Sequence, residues 1–261
     1  MHLSACIEML FVPETHDFAE RIHLAKAAGL SGFEFWRWTN KDLDAIERAK
    51  AETGLTLTAI VAEPMIPLTD PARHAEFLEG LKRSLDVARR LGTTVMIAQA
   101  GDDLPGRTRA EQRAALTQCL SRAAEILEGS GVVLAVEPLN TRVDHKGYYL
   151  DSTTEGLDII DDVGRPEIRI LYDLYHSMVM DEVPEDVLAG RLDRVAHIHV
   201  ADHPGRNQPG SGRLPLKRVL DWLEGQGYAG MAGVEFRPTS STAQALTETF
   251  AALGSPRDAG A

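Results

Sequence analysis

A chain of 261 residues with 44% hydrophobic side chains can bury a large core, which excludes a mini-protein or a disordered tail. Lys and Arg number 27 against 39 Asp and Glu, a net charge of −12 without any long basic run, so nucleic acid and anionic membrane surfaces are poor partners. No apolar stretch approaches the roughly 20 residues of a membrane span, Met1-His2-Leu3-Ser4 does not open a secretory signal pattern, and the widely separated Cys6 and Cys119 exclude a disulfide framework and read as buried thiols; a soluble, cytoplasmic protein is expected.

Short β-branched and apolar runs alternate with longer helical patterns. Leu3 to Ile7 reads as the first strand, followed by a helix from Asp17 to Ala28 that ends at Gly29. Gly32 to Trp36 and a helix from Lys41 to Glu52 come next, then a strand from Leu55 to Val61 and a helix that begins near Pro71, a residue suited to a first helical turn. Thr93 to Ala98 precedes a Gly/Pro loop and a helix that runs to Leu127. In the second half, strands are predicted at Val132 to Val136, Ile168 to Leu171, Val195 to Val200 and Gly233 to Phe236, with helices at Thr154 to Asp162, Pro184 to Ala189, Leu216 to Glu224 and Thr242 to Leu253. These eight alternations, roughly 30 residues each, predict an α/β fold, a single (β/α)₈ barrel. No Gly-rich dinucleotide fingerprint follows the first strand, which argues against a doubly wound open sheet. The expected boundaries are one barrel over 1–254 and a frayed tail over 255–261.

Barrel enzymes carry their chemistry at the carboxyl ends of the strands. Four successive predicted strand ends present metal-ligand residue types: Glu137, Asp173, His199 and Glu235. A single acid at a strand end is more often a loop ion pair or a helix cap, but four in succession are hard to treat as independent. If all point to the axis, three carboxylates converge, each pair repelling by roughly 4 kcal/mol at about 4 Å and an effective dielectric near 20. A dication resolves this, and three oxygens with one nitrogen favour Mn²⁺ or Mg²⁺ over Zn²⁺. His197, two residues from His199 and on the same strand face, reads as a satisfied core histidine one layer deeper. His176 is placed to reach a substrate hydroxyl, or is a surface-loop histidine. Arg206, in a Gly/Pro-shaped loop, suits a carboxylate or hydroxyl-rich ligand, or is a solvated loop cation. Trp36 and Trp38 read as a pocket wall or as packing, and Glu8 and Glu63 as pocket-edge or exposed acids.

The stretches Val136-Glu137-Pro138-Leu139-Asn140, Tyr172-Asp173-Leu174-Tyr175-His176, His197-Ile198-His199-Val200-Ala201-Asp202 and Gly205-Arg206-Asn207-Gln208-Pro209-Gly210-Ser211-Gly212 resemble the hydroxypyruvate isomerase family. That family belongs to the xylose-isomerase-like barrel superfamily, which also holds the ketose 3-epimerases. The resemblance spans nearly the whole chain and is strongest from Val132 to Pro238. It implies the barrel fold and one divalent metal. It puts Glu137, Asp173, His199 and Glu235 on the ligand positions, Glu137 and Glu235 on the acid/base pair, and His176 and Arg206 on positions that contact substrate oxygens. This chain departs from the hydroxypyruvate isomerases in having His rather than Gln at position 199, as the 3-epimerases do. It also lacks the His and Lys expected at Ala59-Ile60-Val61 and Ala98-Gln99-Ala100. The expected activity is a metal-dependent isomerisation of a small carbohydrate or keto acid through an enediolate, with 3-epimerisation as the alternative and a homo-oligomer as the assembly. A metal-dependent lyase or hydrolase and a non-catalytic sugar-binding subunit are the rivals from other classes.

Overall fold

The computed structural model describes residues 1–254; the expected tail, 255–261, lies outside the described residues. The strands are β1 (Leu3–Cys6), β2 (Gly32–Phe35), β3 (Thr56–Val61), β4 (Val95–Gln99), β5 (Val133–Glu137), β6 (Ile168–Asp173), β7 (Val195–Val200) and β8 (Ala232–Val234). They form a closed barrel in sequence order, as the alternation predicts. The helices are α1 (Glu20–Ala27), α2 (Leu43–Thr53), α3 (His74–Leu91), α4 (Arg109–Leu127), α5 (Thr153–Val163), α6 (Leu174–Val179), α7 (Pro184–Val187), α8 (Leu216–Gly225) and α9 (Thr242–Leu253). None of the described helices is long and apolar enough to cross a membrane.

Packing groups the chain into two compact units. The first joins Met1–Ala59 to the chain from His197 onward and contains β1, β2 and β8. Here β1 runs parallel to β2 and to β8, and β7 runs parallel to β8 with His199 opposite Gly233. The second, Ile60–Ala196, contains β4, β5, β6 and α3 to α7. Its strands are also parallel, and Gln99 stands opposite Glu137. Parallel strands lose both faces to the interior, which is why these runs are near-continuously apolar instead of alternating.

Helix boundaries follow capping chemistry. In α3 the buried residues Phe77, Leu81, Leu85 and Ala88 recur at helical spacing, and Gly92, at φ +72°, ends the helix in the left-handed conformation that a Cβ disfavours. Thr108 and Glu111 form a reciprocal capping box at the start of α4. The first predicted helix starts at Glu20 instead of Asp17, and Asp17 Oδ1 accepts from the backbone N–H groups of Ala19 and Glu20 at its entry. The sequence reading has no helix over 174–179. It forms because the Asp173 carboxylate caps it, Oδ1 accepting from Tyr175 N at 2.7 Å and His176 N at 3.2 Å.

Gly80 on α3 shows how closely the loop after β3 packs. A Cβ there would lie 2.2 Å from Glu63 O and 2.3 Å from Pro64 Cδ, and the Glu63 backbone is held by Ser84, whose hydroxyl accepts from Glu63 N. Gly80→Ala is therefore expected to lower unfolding stability by roughly 1–3 kcal/mol through overpacking, read as a fall in the urea midpoint at unchanged slope.

Candidate active site

In the first unit the site is built around a buried carboxylate. Glu34 on β2 receives His197 Nε2 at 2.6 Å and Thr58 Oγ1 at 3.0 Å on Oε2, and His199 Nε2 lies 2.8 Å from its Oε1. Burial alone would raise the Glu34 pKa, but the two imidazoles more than offset it and hold the carboxyl at about 2. The space for this cluster comes from β8. A Cβ on Gly233 would stand 2.5 Å from Glu34 Oε1 and 2.7 Å from His199 Cδ2.

With its Nε2 side turned to Glu34, His199 presents Nδ1 to Glu235 Oε2 at 3.5 Å. Glu235, directly after β8, accepts from Trp36 Nε1 at 2.8 Å and from the Cys6 thiol at 3.6 Å on Oε1, while Arg206 binds Oε2. Burial would again raise its pKa. The Arg206 guanidinium and then His199 reverse this and keep Glu235 well below the usual carboxylate range. Cys6 is pushed the other way, up by burial and then by the neighbouring Glu235, so it stays a thiol.

Arg206 is only 8% exposed and has φ +53°, an uncommon backbone conformation for a residue with a Cβ. Its loop is tied down by Asp202, which follows β7. Asp202 Oδ1 accepts from His203 N and Leu214 N, and Oδ2 accepts from Gly210 N and Gly212 N, all at 2.8–3.0 Å. The backbone carbonyl of Arg206 accepts from Arg237 N at 2.8 Å, which locks the loop to the chain after β8.

In the second unit Glu137 ends β5 and Asp173 ends β6. Tyr148 hydroxyl donates to the Glu137 carbonyl at 3.1 Å and accepts from Ala100 N at 2.6 Å, fixing the strand end. Asp173 uses Oδ1 to cap α6, and its Oδ2 lies 3.6 Å from His176 Nε2. His176, 1% exposed, faces Asn140 with Nδ1: the Asn140 backbone N–H reaches it at 3.2 Å and the side-chain amide at 2.7 Å. The Asn140 amide also binds Asp144, which accepts from the Tyr175 hydroxyl at 2.6 Å.

Glu137 and Asp173 in the second unit, and His199 and Glu235 in the first, are all buried near their strand ends. Carboxylate oxygens and an imidazole nitrogen are the donor types that fit a divalent cation.

A family model described as xylose isomerase-like TIM barrel matches residues 22–253. The chain belongs to that family. It is 28% identical to the hydroxypyruvate isomerase of Escherichia coli over 94% of this chain and 97% of that protein. It is 29% identical to the 2-oxo-tetronate isomerase of Cupriavidus necator over 88% and 91%. Among solved structures, a protein titled AP endonuclease, family 2, from Brucella melitensis superposes with a TM-score of 0.89 at 28% identity over 96% of this chain and 98% of that chain. A D-psicose 3-epimerase solved with D-fructose shares the fold, with a TM-score of 0.80 at 18% identity over 97% of this chain and 100% of that one. With these relatives, this member of the xylose isomerase-like family is an enzyme of the isomerase class.

The ring of His176 is buried, not a surface-loop group, and Arg206 is paired with Glu235, not solvated. Asp173 is the helix cap that the simpler reading allows, but with one oxygen only. Trp36, 40% exposed, touches Glu235 through its indole N–H, and Glu8 is ion-paired to Lys41 at 2.8 Å. Glu34 is the residue that sequence reasoning missed. Its signal was a carboxylate between Phe33 and Phe35 on a predicted strand, facing the opposite way from both.

The Asp202 hub supplies a test of loop anchoring. Asp202→Ala leaves several backbone N–H groups without their acceptor and is expected to cost roughly 1–3 kcal/mol. Limited proteolysis should then cut within 203–214, a segment left intact in the unaltered protein under the same conditions.

Proposed function

We propose that the protein is a metal-dependent sugar isomerase that moves a proton between adjacent carbons of a small α-hydroxy carbonyl compound through an enediolate. The supporting observation is that each unit buries part of a metal-type donor set at its strand ends: the carboxylates of Glu137 and Asp173 in the second, and His199 Nδ1 set 3.5 Å from Glu235 Oε2 in the first. The hydroxypyruvate and 2-oxo-tetronate isomerases named among its relatives point to a short keto acid or sugar acid as substrate. Glu137, Asp173, His199 and Glu235 are assigned as ligands of one dication, Mn²⁺ or Mg²⁺, which supplies Lewis-acid stabilisation of negative charge on the substrate oxygens when bound.

The proton chemistry falls to Glu137 and Glu235. One carboxylate takes the C–H proton beside the carbonyl, and the electron pair of that bond becomes the C=C bond of the enediolate. Return of a proton to the neighbouring carbon, with the hydroxyl proton changing oxygen, exchanges carbonyl and alcohol, with no external oxidant or reductant. Positioned acid–base groups of this kind contribute about 10²- to 10⁴-fold in rate. Arg206 and His176 are assigned to substrate oxygens, Arg206 as a fixed cation suited to a carboxylate. A net charge of −12 disfavours a nucleic-acid substrate. We place the enzyme in the reducing cytoplasm, in keeping with two free, buried cysteines.

A second reading, ketose 3-epimerisation, is favoured by His199, the residue type of the 3-epimerases where the hydroxypyruvate isomerases often carry Gln. The two readings separate in the products. After chelation and dialysis, activity on hydroxypyruvate and on C3 to C6 keto sugars should vanish and return with Mn²⁺ or Mg²⁺; full activity after exhaustive chelation overturns the metal assignment. Glu137→Gln and Glu235→Gln should each lower kcat by about 10²-fold or more and abolish solvent-deuterium incorporation into the substrate carbon. Unaltered exchange in either variant removes that residue from the proton transfer.

A further inference from the structure

The surroundings of His176 determine which ring nitrogen carries its proton. The Asn140 backbone N–H can only donate, and it points at Nδ1 from 3.2 Å. The side-chain amide of Asn140 has its orientation fixed independently, because its Oδ1 accepts from the backbone N–H groups of Val143 at 3.0 Å and Asp144 at 3.1 Å. The NH₂ group is therefore the end that meets His176 Nδ1 at 2.7 Å, its other hydrogen going to Asp144 Oδ2 at 2.9 Å. Two donors converge on Nδ1, so Nδ1 must offer its lone pair and the ring proton sits on Nε2. The ring has little freedom to turn away: its edge contacts with His145 and Tyr175 have centroid separations of 5.2 and 5.3 Å, and Asn140 is fully buried.

We propose that Asn140 is a positioning residue that holds His176 in the single tautomer with its proton on Nε2, making that ring a hydrogen-bond donor to an acceptor oxygen of the substrate. The second half of the statement rests on the function proposed above. Nε2 lies 3.6 Å from Oδ2 of Asp173, one of the proposed metal ligands. A neutral ring in this state donates a hydrogen bond through Nε2. It selects a carbonyl, carboxylate or developing oxyanion, groups that accept without needing to donate.

The test uses the full chain labelled with ¹⁵N-histidine, metal-free and at neutral pH, with long-range ¹H–¹⁵N correlation of the imidazoles. His176→Gln identifies the signal among the nine histidines. The unaltered protein should show His176 with Nδ1 unprotonated and Nε2 protonated; a proton on Nδ1 overturns the proposal. Asn140→Asp replaces the amide donor by an acceptor and should shift the ring proton toward Nδ1. Asn140→Ala avoids the repulsion an aspartate would feel from Asp144 and should turn the single tautomer into a mixture. Both variants should lose roughly ten- to a hundredfold in kcat/KM, mainly through KM. An unchanged tautomer in both variants removes Asn140 from the positioning role. The spectroscopic result needs no substrate: the assigned tautomer in a protein that turns over no hydroxy carbonyl compound would refute the proposed function and leave the Asn140 assignment standing. The assigned tautomer with unchanged KM in both variants would refute the donor role.

Discussion

Buried negative charge is the constraint around which this barrel is arranged. Glu34, Glu137, Asp173 and Glu235 are all buried, and a carboxylate out of water must find opposite charge or hydrogen-bond donors close at hand. The first unit shows how fully this is done. Glu34 is met by two imidazoles and a threonine hydroxyl, and Glu235 by a guanidinium, an indole N–H and a thiol. Their pKa values fall in spite of burial, so both remain ionised at neutral pH. The second unit meets part of the same demand with backbone amides, through the cap that Asp173 places on α6.

These local solutions depend on backbone features far from the charges. Arg206 reaches Glu235 from a left-handed backbone conformation, which costs on the order of a kcal/mol or more and persists only when its surroundings impose it. Asp202 imposes it by gathering amides from both ends of the loop, and the Arg206 carbonyl is held by Arg237 N. Gly233 serves the same end by omission, since any side chain there would occupy the place of the Glu34 carboxylate. Rigid support of this kind keeps functional groups in position without induced movement.

Most of the architecture was legible because a parallel barrel repeats one unit, and each apolar run is stopped by Gly, Pro or a capping residue. The strand-end acids were legible for a related reason: Glu137, Asp173 and Glu235 each interrupt or follow an apolar run where a core side chain would otherwise continue. Glu34 escaped notice because two phenylalanines flank it, and the run reads as aromatic unless the faces are separated. Asn140 lies inside a motif that sequence singles out, but its partner His176 is 36 residues away, and no spacing rule joins a loop amide to a ring on another element. The helix at 174–179 was hidden because Asp173 looks like a ligand; only coordinates reveal that one of its oxygens also nucleates a helix.

The histidines complete the argument about proton traffic. A carboxylate held at about 2 can only accept, so His197 and His199 both turn a proton-bearing Nε2 toward Glu34, and His199 Nδ1 is set against Glu235. On the reading proposed here His197 and His199 are fixed elements whose Nε2 protons face Glu34. The exchangeable protons of the reaction are then those that Glu137 and Glu235 gain and lose. A site so arranged separates orientation, which needs rigid hydrogen bonds, from acid–base chemistry, which needs groups able to change state.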